Sequence, residues 1–169
     1  MIFSLYTLLF IAFIAIIIED FKYRAIRWFW IPVLVFLCLG IAITENSWSE
    51  ILVLFRTNVV FILIQLLGVS LYYSLKVKRL VNITDNYLGW GDILFFLPLC
   101  LLFSPINFIV FFIGGLMMIL LGYILWKQFF LPELETIPLA GGLAIVAMVC
   151  LIGDYCSSWE RYQDVLMVF

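Results

Sequence analysis

The sequence predicts an all-α, polytopic membrane protein of about six transmembrane helices. Composition is the first reason. Of 169 residues, 67% are hydrophobic and only 12% are charged, whereas soluble domains carry roughly 25% charged residues. The second reason is spacing. The apolar residues fall into runs near the length that crosses a hydrocarbon core, about 20 residues, and short polar segments divide them. No hydrophilic stretch is long enough to fold separately, so residues 1–169 read as a single membrane-embedded domain.

Met1–Ile18 is the first span. No basic segment precedes it, and its positive charges (Lys22, Arg24, Arg27) follow it, which is the pattern of a retained helix rather than a cleaved signal. Trp28–Thr44 is the second span, with Pro32 in the first turn or so, where a missing N–H does least harm. Ile51–Leu75 is the third; Arg56 near one end has a stem long enough to carry its charge to the interface. Ile93–Trp126 is uncharged and too long for one span, and Ser104-Pro105-Ile106-Asn107 is turn chemistry. That divides it into a short fourth helix, Gly91–Phe103, and a fifth, Ile106–Trp126. Glu135–Ile152 makes the sixth, with Pro138 and Gly141-Gly142 near its start. The tail Asp154–Phe169 spaces Trp159, Tyr162, Leu166 and Phe169 as a short surface helix would.

The basic residues orient these spans. Lys22, Arg24 and Arg27 occupy the first loop, Lys76, Lys78 and Arg79 the third, and Lys127 opens the fifth. Positive charge in alternate loops places those loops in the cytoplasm. Both termini and the acidic segment Glu45–Glu50 then lie outside. Asp20 and Asp92, on different helices, fall on the same cytoplasmic side.

Several chemistries lack their usual residues. The net charge of −2 offers no basic face for nucleic acid. There is no histidine and no CxxC pair, so no metal, no cofactor and no Ser-His or Cys-His nucleophile is expected. Cys38, Cys100 and Cys150 fall inside apolar runs and read as small hydrophobes. The 17 Phe, 8 Tyr and 6 Trp read as lipid-facing and interfacial packing, and Asn58 and Gln65 as partners in interhelical hydrogen bonds.

What remains is the pair of aspartates. An ionisable group at the edge of an apolar run is costly, and carboxylates there pair, line a wet cavity or do chemistry. Two neighbouring carboxylates share one proton. The charged member acts as general base on a water, and the protonated one polarises a carbonyl oxygen. Gly89 and Gly91, flanking Trp90 before Asp92, let another segment approach the backbone at that point.

On these residues the chain resembles the prepilin peptidases and, more distantly, the wider group of Gly-Xaa-Gly-Asp intramembrane aspartyl proteases. Asp20-Phe21-Lys22-Tyr23-Arg24-Ala25-Ile26 is similar to the family's first aspartate segment. Gly89, Gly91 and Asp92 match the second motif, and Ile137-Pro138-Leu139-Ala140-Gly141-Gly142 matches a late Ile-Pro followed by small residues. The resemblance spans nearly the whole chain. It implies a peptidase domain at the cytoplasmic (inner) membrane whose partners are the bilayer and a prepilin-like substrate, with the leader cut between a short basic segment and a hydrophobic helix. Three positions depart from the family: Arg27 stands where proline is usual, Trp28 where a polar residue is common, and Leu94 where a lysine is usual. A Cys-rich N-terminal region, which larger members use for N-methylation, is absent, so methyltransferase activity is not expected.

Glu19, Asp85, Glu133 and Glu135 share the cytoplasmic side, where negative charge attracts a basic leader; the alternative for each is plain surface charge. Two other functions compete with proteolysis. One is a catalytically silent relative acting in pilus or secretion assembly. The other is a proton-coupled transporter, disfavoured because its carboxylates belong deep within the helices rather than near one face.

Overall fold

Six helices pack into one all-helical bundle in the structure, a computed structural model that describes residues 2–78, 89–129 and 137–156. They are α1 (Ile2–Tyr23), α2 (Trp30–Glu45), α3 (Trp48–Val77), α4 (Trp90–Leu99), α5 (Pro105–Phe129) and α6 (Leu139–Cys156). Asp85, Glu133, Glu135, Arg79 and the tail beyond 156 lie outside the described residues. By length and composition α1, α3 and α5 are able to cross a membrane, while α2, α4 and α6 are apolar but shorter.

α1 packs most extensively against α6 and α2, α6 also packs on α5, and α3 joins through α5. The buried stripe of α1 is Leu9, Ala12, Phe13, Ile16 and Asp20, a run of three- and four-residue steps that defines one helical face. α6 answers with Ala140, Leu143, Ala144, Ala147 and Leu151. Where α5 meets α6 the backbones come close. A Cβ on Gly142 would fall 2.6 Å from Ile119 Cγ1, and one on Gly115 would fall 2.9 Å from Leu143 Cδ2. Small residues allow this approach, and dispersion contacts then hold the helices together in lipid.

Three of the differences in helix boundary from the sequence reading shape the bundle. α1 continues through Asp20 to Tyr23, where Arg24 turns left-handed (φ 53°) and donates its N–H to the Asp20 carbonyl, 3.0 Å. The acidic segment Glu45–Glu50 is largely helical: Glu45 ends α2, and α3 begins at Trp48. Ser47 caps α3, its hydroxyl accepting from the Glu50 N–H while the Glu50 carboxylate accepts from the Ser47 N–H at 2.8 Å. This reciprocal pair satisfies two orphan amides of the first turn.

The third difference concerns α4, which stops at Leu99 instead of Phe103. Ten residues rise only about 15 Å, half of a hydrocarbon core. Non-helical backbone at that depth persists only when buried in protein with its polar groups satisfied. Asn58 of α3 does this, its Nδ2 donating to the carbonyls of Cys100 at 3.0 Å and Phe103 at 2.9 Å. Gln65, by contrast, is exposed.

The phenylalanines also require a correction. Phe13, Phe95, Phe96, Phe103, Phe108, Phe111 and Phe112 are buried core rather than lipid-facing. Phe96 and Phe61 meet Phe112 edge-to-face, with centroids 5.2 and 5.8 Å apart. These rings fill the irregular space around the short helix, and their edge-to-face geometry is the favoured one for aromatic pairs.

Candidate active site

Helix periodicity carries Asp20 inward. It follows Ile16 by four residues on the buried stripe of α1 and is 5% exposed. An isolated carboxylate so placed is expensive unless it is hydrogen-bonded, and α6 supplies the partner: Gly141 N–H donates to Asp20 Oδ2 at 2.6 Å. The first amides of a helix have no intrahelical acceptor and carry its positive dipole end. In α6 the ladder begins only with Gly142 N–H on the Pro138 carbonyl, 3.1 Å, which leaves Ala140 and Gly141 free to donate elsewhere.

Asp92 takes the other amide. It sits in the first turn of α4, half-buried, and its carboxylate accepts from the backbone N–H groups of Ala140 and Gly89. The two aspartates lie close enough for their charges to repel. Two carboxylates from separate helices therefore converge on the N-terminus of a third, Asp20 deeper and Asp92 nearer water. Arg24, one turn beyond Asp20, is a cation near enough to act on its charge.

The glycines divide by role. A Cβ on Gly91 would be in ordinary contact with Ile26 of the α1–α2 loop, 3.7 Å away, and one on Gly89 would lie 3.4 Å from Asp92 Oδ2. Of the three glycines that border the aspartates, Gly141 is the most crowded: a Cβ there would stand 3.1 Å from Asp20 Oδ2 and 3.0 Å from the Phe21 ring. The sequence places Gly141 in a motif without marking it as the amide that holds Asp20. Pro138 followed by small residues was the available signal, since proline suits a helix start and small side chains expose its amides.

Glu19 is engaged within the chain. Its Oε2 accepts from the Arg27 N–H at 3.1 Å, its Oε1 lies 3.4 Å from Arg27 Nε, and its side chain is largely buried. Arg27 thus ties the α1–α2 loop, which sets Ile26 against Gly91, to α1. Leu94 is partly exposed on α4. Among the described residues no group of three His, Cys, Asp or Glu side chains converges as a metal site. No family model, curated protein or solved structure matches this chain.

Proposed function

We propose that the chain is a membrane aspartyl endopeptidase of prepilin-peptidase type, cutting the leader of prepilin-like precursors at the cytoplasmic face of the inner membrane. The observation that carries this reading is the meeting of Asp20 and Asp92 at the α6 N-terminus. One proton between them leaves one member as base on a water and the other as acid on the scissile carbonyl. Collapse of the tetrahedral adduct breaks the C–N bond, and the proton taken from water passes to the leaving amine. The two groups titrate as a unit. Cleavage therefore falls at low pH, when both are protonated and no base remains, and at high pH, when both are ionised and no acid remains.

Co-expression with pilin-like precursors tests the reading. Asp20→Asn and Asp92→Asn should each abolish the mature product at unchanged protein level. Cleavage that survives both substitutions sinks the dyad. A wild type that never cleaves its own cognate precursor, yet is needed for pilus assembly, favours the silent-relative reading.

A further inference from the structure

Beside the dyad, on the outer surface of α5 and α6, runs an apolar groove of about 610 Å³. Met118, Ile119 and Gly122 of α5 form one wall, and Ile145, Val146 and Val149 of α6 form the other. Gly115 faces Leu143 and Ile119 faces Gly142, so Tyr123 and Trp126, further along α5, line the groove toward the α6 N-terminus, the end where Arg24 and Pro138 also line it. Phe21, whose ring lies against Gly141, walls it off from Asp20. The dyad reading does not use this groove.

Three properties identify an occupant. The floor is apolar and, among the described residues, Arg24 is the single charged residue of the lining, so the ligand pairs a long apolar body with an anionic end. The aromatic side chains gather at the charged end, as they do where a bilayer's headgroups meet its hydrocarbon. The groove is also short. From Pro138 to Val149 the α6 wall rises about 16 Å at 1.5 Å per residue, half of a hydrocarbon core of about 30 Å. That is the depth of one leaflet, whereas a spanning partner helix needs both.

We propose that the α5–α6 groove is a binding site for one anionic phospholipid, its phosphate on Arg24 and an acyl chain along Gly122, Ile145 and Val149. Arg24 is held for this contact by the backbone. Its left-handed conformation ends α1 and turns the chain at the groove mouth. Because the Arg24 charge also acts on Asp20, a phosphate there competes for the same cation and couples lipid composition to the dyad.

Two substitutions separate head from tail. Arg24→Gly removes the guanidinium but keeps a residue that adopts positive φ without cost. Gly122→Phe fills the groove from a position where a Cβ meets nothing within 4 Å. The purified chain in detergent is offered phosphatidylglycerol or phosphatidylcholine of the same acyl composition, and native mass spectrometry counts the retained lipid. The wild type should prefer phosphatidylglycerol by about fivefold, the worth of one arginine at an anionic surface. Arg24→Gly should erase that preference, and Gly122→Phe should reduce retention of both lipids while the protein elutes as the wild type does. Equal retention of the two lipids by the wild type overturns the proposal. So does a preference that survives Arg24→Gly, or undiminished retention by Gly122→Phe.

Discussion

Asp20 holds its place through one backbone amide, and that amide is accessible because residue 141 has no side chain. Gly141→Ala puts a methyl 3.1 Å from Asp20 Oδ2 and 3.0 Å from Phe21. Overpacking of this kind costs about 1–3 kcal/mol, and shifting a catalytic carboxylate by a fraction of an ångström lowers the rate by about 10- to 100-fold. Cleavage kinetics of Gly141→Ala should show that loss mainly in kcat, whereas Gly114→Ala, with nothing within 4 Å of its Cβ, should cleave as the wild type does. Equal rates for the two variants refute the role assigned to Gly141. The aspartates themselves were legible in the sequence, because charge at the edge of an apolar run stands out. Gly141 was not, because a glycine's use depends on what approaches it.

At the scale of elements, the half-length α4 sets the site's geometry. Its N-terminus presents Asp92, while its far end is closed inside the bundle by Asn58. Asn58→Leu leaves two buried carbonyls without that donor. An unsatisfied buried acceptor costs about 1–3 kcal/mol, although interhelical bonds in membranes average nearer 0.6 kcal/mol. A net loss of about 1–3 kcal/mol in reversible unfolding is expected, with weaker cleavage because α4 loses its anchor. A variant as stable as the wild type would show that the turn needs no such support. The number and order of the helices could be read from hydropathy, but not the end of α4 at Leu99. Pro98 removes one helical N–H, but residues 100–103 are as apolar as the helix before them, and Asn58 and the phenylalanine cluster hold the turn at that point. The buried face of each helix was hidden for a related reason. In lipid both faces are apolar, so periodicity carries little contrast.

Over the whole molecule, the basic loops orient the bundle and should place the dyad on the cytoplasmic side. In a background without the native cysteines, Lys76→Cys should react with impermeant thiol reagents only in inverted vesicles, and Asn46→Cys only in intact cells. The opposite pattern would put the site on the wrong face for a cytoplasmic leader. The sequence by itself determined that this is an all-helical membrane protein, the order of its helices, and that two carboxylates share one end of it. Those features follow from transfer free energies and charge, which each segment carries independently of its neighbours. Only the tertiary structure decided that α6 delivers its first amides to both carboxylates, that Glu19 serves the α1–α2 loop, and that a leaflet-deep groove opens beside Arg24. Each of these depends on the distance between segments far apart in the chain, and helix–helix packing alone sets that distance.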